Sequence, residues 1–145
     1  MRAVFLVSGL VSVLAAACGV EPDVGDPVAV RCADDDSDPG TATSFAADIQ
    51  PIFVDRCKFC HFPDGNTPIG LQTTGLNLSS YATVIAGATL GPVVIAGAPC
   101  RSLLWQKVTP GPPFGSRMPL SGPPFLTDAQ IQQIHDWIAE GALAN

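Results

Sequence analysis

Large side chains and charge are scarce in this chain. Of its 145 residues, 7% are aromatic and 14% charged, with seven Lys and Arg against 13 acids and a formal net charge of −6. That balance argues against a nucleic-acid surface, which needs clustered Lys and Arg. Histidine and methionine occur only twice each, so chemistry resting on an imidazole or a thioether has few places to sit. After the first segment there is no apolar run of about 18 residues, which excludes a second membrane span. No stretch alternates apolar and polar residues as a half-buried strand would, and no internal repeat is evident. Hydrophobic residues still reach 47%, enough for one core, while 14 Gly and 14 Pro predict that much of the chain is loop.

The first segment, MRAVFLVSGLVSVLAAAC, has one Arg, an uncharged apolar run and then small residues, the layout of a secretory signal. It ends on Cys18, and so resembles a bacterial lipoprotein signal in which that cysteine is lipidated and becomes the mature N-terminus. Ala15 stands where such signals usually have Leu; the alternative is a plain signal cleaved near Ala17. Either reading takes residues 1–17 as a signal peptide and exports the protein to an oxidising compartment, periplasm or outer membrane; the first makes lipid at Cys18 the membrane anchor, and the second leaves Cys18 an ordinary thiol. Residues 19–43 then carry seven acids against Arg31 alone, the same −6 as the whole chain. Pro, Gly and Asp without periodicity predict an acidic flexible tether over 18–43.

Residues 44–145 form one expected domain. In SFAADIQPIFVDRC, Phe45, Ile49, Ile52 and Phe53 share a side at helical spacing, with Asp48 as a candidate cap and Pro51 in the first turn. SSYATVIAGA and PCRSLLWQKV predict short helices, and FPDGNTPIGLQTTGLNL an irregular loop. TPGPPFGSRMPLSGPPF is interrupted by prolines and must be a stiff loop. The last element is the clearest: Thr127 and Gln130 make a capping box, Ile131, Ile134 and Ile138 a stripe with Trp137 on its flank, and Gly141 a stop. The expected class is all-α, three to five short helices joined by long Pro/Gly-rich loops.

Between the first helix and the first loop lies CKFCH: Cys57, Cys60 and His61. A zinc site needs four ligands, usually as two pairs, and outside this run Cys32, Cys100 and His135 form no second pair. A dithiol redox centre begins a helix after a strand, whereas this run follows a helix. C-x-x-C-H is also the pattern of covalent haem attachment, in which the two thiols add to the vinyl groups and the histidine is held beneath the iron. In an exported chain this reading fits every neighbour: one covalent haem c, thioethers at Cys57 and Cys60, and His61 as proximal ligand. Met118 is the candidate sixth ligand, because Met1 lies in the signal. A thioether there raises the reduction potential relative to a bis-histidine site. His135 is the rival ligand, although Asp136 beside it suggests a surface position.

FAADIQPIF…C..CH, LNLSSYATVIAGA, SLLWQKV, RMP and LTDAQIQQIHDWIAEGA together resemble the small cytochrome c domains of planctomycete and myxobacterial proteins, over nearly all of residues 45–142. The resemblance implies a class I cytochrome c fold with N- and C-terminal helices crossing at the haem edge, His61 and Met118 as axial ligands and Cys57 and Cys60 as attachment points. One departure is Cys100, where a polar residue is common. Five cysteines divide into one for lipid, two for haem and a remaining pair, Cys32 and Cys100, which in an oxidising compartment suggests a disulfide; two free or intermolecular thiols are the alternative. Pro68 is a candidate carbonyl partner for the His61 ring, and Trp105, Arg101 and Arg117 are candidate propionate contacts. The expected function is a monohaem c-type cytochrome carrying single electrons between redox protein partners, not an enzyme. Two other classes stay open: a peroxidase-like haem enzyme with a labile sixth ligand, and a haem sensor or accessory binding module of a surface complex.

Overall fold

Ser44 starts the first helix. In the computed structural model, which describes residues 32–145, its hydroxyl accepts the Ala47 N–H at 3.1 Å, and Asp48 reciprocally accepts the Ser44 N–H at 2.8 Å. The expected cap, Asp48, is therefore the second half of a cap that Ser44 leads. The entry is wider than an α-turn, because Gln50 N–H bonds back to the Phe45 carbonyl and makes Phe45–Ile49 a π-helical turn. Helix α1 (Gln50–Arg56) follows with Pro51 in its first turn, where a missing N–H costs nothing. The signal, Cys18 and the first part of the tether lie outside the described residues.

Cys57 breaks the helix, at φ −121° and ψ −19°, and the chain restarts as the single turn α2 (Lys58–His61). The expected irregular loop contains a helix, α3 (Ile69–Thr74), ended by Gly75 at φ +72°. Helix α4 (Tyr81–Ala86) opens on a Ser80–Thr83 capping box and stops at Gly87. A 3₁₀ turn, Pro99–Arg101, leads into α5 (Leu103–Val108), and α6 (Asp128–Ala139) opens on the expected Thr127–Gln130 box. The only extended pairing among the described residues is an isolated bridge between Ala88 and Gly91. Among the described residues the class is thus all-helical, with six short α-helices; the expected upper limit of five is exceeded because α2 and α3 stand as separate elements.

The core joins the two ends of the domain. Trp137 is fully buried and sits 5.4 Å, centroid to centroid, from Phe45, which also meets Tyr81 at 5.3 Å and Phe53 at 6.3 Å. Ile134 and Ile138 complete the α6 stripe, and Ile49, Val84 and Leu104 close on it. Each such side chain contributes about 1.5–3 kcal/mol by leaving water. Backbone bonds reinforce the contact: Ala46 N–H donates to the Asn145 carbonyl at 3.0 Å and Tyr81 Oη to that of Ala142 at 3.0 Å. Trp137 is buried without penalty because its indole N–H donates to the Leu143 carbonyl at 2.9 Å.

Residues 32–43, the described part of the expected tether, lie along α6 as a strap. Cys32 and Cys100 are at disulfide distance, 1.96 Å between sulfurs, with Cα atoms 5.6 Å apart. Asp34 accepts the Cys100 N–H at 2.8 Å, and Thr43 donates its N–H and hydroxyl to the Glu140 carboxylate. Ser37 donates its N–H and hydroxyl to Asp136. The strap covers His135, which is 6% exposed rather than at the surface as its neighbour Asp136 suggested. His135 Nε2 lies 2.7 Å from the Ala33 carbonyl oxygen and Nδ1 3.2 Å from Asp136. Burial works to raise the Asp136 carboxyl, but the hydrogen bonds from Ser37, Gln132 and His135 outweigh it and hold the group below its ordinary range.

Candidate functional site

Helix α1 ends in the core through Ile52 and Phe53, so Cys57 emerges against apolar side chains and packs on the core cluster. One turn later Cys60 and His61 leave α2. Both thiols are free, whereas the other two described cysteines are bonded to each other. Burial pushes the Cys57 thiol up to about 12, partly offset by the charge of Arg56. A thiol kept protonated in this way is the opposite of the low-pKa nucleophile of a dithiol redox centre.

His61 is held at both its main chain and its ring. Its carbonyl accepts the Leu78 N–H at 3.0 Å, and its Nδ1 lies 3.2 Å from the Leu76 carbonyl oxygen. With Nδ1–H donating there, Nε2 carries the free lone pair. Burial shifts the imidazole toward its neutral form, and the Leu76 hydrogen bond opposes this only in part. The expected carbonyl partner, Pro68, is corrected: the Pro68 carbonyl accepts the Gln72 N–H as the first hydrogen bond of α3. Leu76 follows α3 instead, so the helix hidden in the expected loop decides which carbonyl reaches the ring.

Gly70, in α3, lies against that ring. A Cβ built there would fall 2.6 Å from both Cε1 and Nε2 of His61 and 3.0 Å from the Cys60 carbonyl oxygen. Only a residue without a side chain lets α3 approach the imidazole this closely. Gly65 plays the same part behind α2, where a Cβ would fall 2.4 Å from the Lys58 carbonyl oxygen. The local sequence thus packs two glycines around the histidine turn.

Among the described residues, Cys57, Cys60 and His61 do not bring three ligand atoms within 4.8 Å of one another, whereas Cys32, Cys100 and His135 do. The CKFCH side chains are therefore not gathered for a small tetrahedral ion. The Cys32, Cys100 and His135 cluster has both its thiols tied up in the disulfide. A shallow cleft of about 250 Å³ beside it is lined by Cys32, Ala33, Asp35, Trp105, Gln132 and His135.

Met118 is half-buried and packs against the core cluster from the proline-rich loop. Its N–H donates to the Lys107 carbonyl at 2.7 Å, so the last turn of α5 fixes its backbone. Of the candidate propionate contacts, Arg117 is already engaged: its Nε donates to the Val108 carbonyl at 2.8 Å and its guanidinium lies 4.4 Å from the Phe125 ring centroid. Arg101 is exposed on the 3₁₀ turn. Trp105 differs, because its buried indole N–H has no acceptor. A buried donor without a partner is costly, and a carboxylate from a bound group would satisfy it. Cys57 and Cys60, with free thiols, and His61, with its Nε2 lone pair unspent, share one turn, whereas the Trp105 ring packs on His135, 5.4 Å between centroids. No family model, no curated protein and no solved structure matches the chain.

Proposed function

We propose that this chain is a monohaem c-type cytochrome of class I type that transfers single electrons in the cell envelope. The observation that carries the reading is the CKFCH turn itself. Cys57 and Cys60 stay free in a chain whose other described cysteines are bonded, and His61 is clamped through Nδ1 so that Nε2 is left as donor. Cys57 and Cys60 would hold the haem c covalently, and His61 and Met118 would ligate its iron. When bound, the haem iron supplies a one-electron couple, and no further reacting group is required of the protein.

The chain's own residues bind, orient and shield. The Leu76 carbonyl fixes the His61 ring and makes its imidazole a stronger donor. Gly70 keeps α3 close to the ring without striking it. The Trp105 N–H, buried without an acceptor, would be the chain's candidate donor to a propionate. Met118, tied to α5 through its N–H, would close the sixth position and keep small substrates out, which supports a carrier over a peroxidase.

The Cys32–Cys100 disulfide supports export, since such bonds persist in oxidising compartments. Lipid at Cys18 would then hold the protein at a membrane, and its partners would be redox proteins. Docking should depend little on charge. Lys58 pairs with Asp64 at 2.8 Å and Lys107, in α5, is engaged by carbonyls of the loop that follows, so neither leaves a strong positive patch. Spectra of the oxidised and reduced protein test the assignment. The oxidised form should show the weak sulfur-to-iron band in the far red, and Met118→Ala should lose it and gain carbon monoxide binding. Ready carbon monoxide binding by the wild type, without that band, would move the enzyme reading ahead.

A further inference from the structure

The loop that carries Met118 is poor in its own hydrogen bonds, because proline after proline removes N–H donors. Its carbonyls must find partners elsewhere, and two of them find the same one. Lys107 Nζ donates to the Phe114 carbonyl at 2.7 Å and to the Ser116 carbonyl at 2.6 Å. Between them Gly115, at φ +59°, turns the chain so that both carbonyls face the ammonium. The Phe114 ring lies against it as well, 5.1 Å from Nζ to the centroid. Lys107 also binds the loop by its main chain, since its carbonyl accepts the Met118 N–H at 2.7 Å. One residue at the end of α5 thus grips positions 114, 116 and 118.

We propose that Lys107 is a positioning residue for Met118, setting where the thioether sits and how readily it gives up an axial position. This rests on Met118 as sixth ligand. The main-chain bond survives any substitution at 107, so side-chain variants isolate the ammonium. Lys107→Met keeps the aliphatic stem and removes both donated bonds, whereas Lys107→Arg keeps charge and donors.

In the holoprotein, ferric wild type and variants are titrated with imidazole while the far-red sulfur-to-iron band is followed. Loss of two charge-assisted bonds predicts that Lys107→Met binds imidazole about tenfold more tightly, with Lys107→Arg near the wild type. Hydrogen exchange of the Met118 amide in the same holoprotein gives a second readout. It should speed up about tenfold in Lys107→Met while the α6 amides stay protected. If Lys107→Met fails to fold, Lys107→Gln, which removes the charge and shortens the side chain, is held to the same direction of change. Wild-type imidazole affinity and wild-type Met118 exchange in a folded variant, with the band present in the parent, overturn the role of Lys107 alone. A parent that lacks the band overturns the Met118 reading, and this proposal with it.

Discussion

Removing the Cys32–Cys100 disulfide as the Cys32→Ser/Cys100→Ser double variant should cost the protein about 4 kcal/mol, from the chain-entropy relation for a closed loop of this length. The two cysteines are separated by 68 positions, and the loop they close contains the CKFCH turn and helices α1 to α4. The effect falls on the unfolded chain, which gains freedom when the bond is gone. The native strap keeps its other ties, Ser37 to Asp136, Thr43 to Glu140 and Ala33 to His135. Urea unfolding of the oxidised wild type and the double variant measures the difference. With a slope of about 2 kcal/mol/M, the midpoint should fall by about 2 M at unchanged slope. A fall of less than about 0.3 M would refute the reasoning and mean that the strap is not joined to the cooperative unit.

Gly70→Ala should displace His61, because the added Cβ meets the ring at 2.6 Å; the expected cost is about 1–3 kcal/mol with an altered haem spectrum, and an unchanged spectrum and midpoint would count against the packing of α3 on the imidazole. Thr127→Ala should cost about 1 kcal/mol in urea unfolding through loss of the α6 capping box, and no change would show that the cap is idle. Asp136 is held below its ordinary value of 3.8, so its contribution is fully present above that value and is lost as pH falls through the lower folded value. Wild-type stability should therefore fall more steeply below about pH 4 than that of Asp136→Asn, and parallel curves would contradict the strap contacts.

Local patterns made some elements readable in the sequence and hid others. The α6 box and stripe depend on residues within one helix, and the Thr127–Gln130 pair and Ile134 stand as expected. Cys32 and Cys100 could be paired by elimination because so few cysteines were left over. The strap could not be read, since an acidic segment without periodicity looks solvated; only the distant acceptors Asp136 and Glu140 and the disulfide hold it down. His135 is buried by that same strap, so its surroundings come from residues about a hundred positions away. Helix α3 was hidden by its composition, with Gly70 inside it and turn formers around it, and its presence moved the partner of the His61 ring from Pro68 to Leu76. The lone indole of Trp105 is a property of packing, which no spacing rule reports.

Acid–organic extraction of the purified protein tests the central claim most directly. If Cys57 and Cys60 carry thioethers, the iron porphyrin stays with the polypeptide in the wild type and leaves with the solvent in Cys57→Ser/Cys60→Ser. Haem that leaves the wild type with the solvent, or a wild-type protein that contains zinc and no haem, would contradict the account.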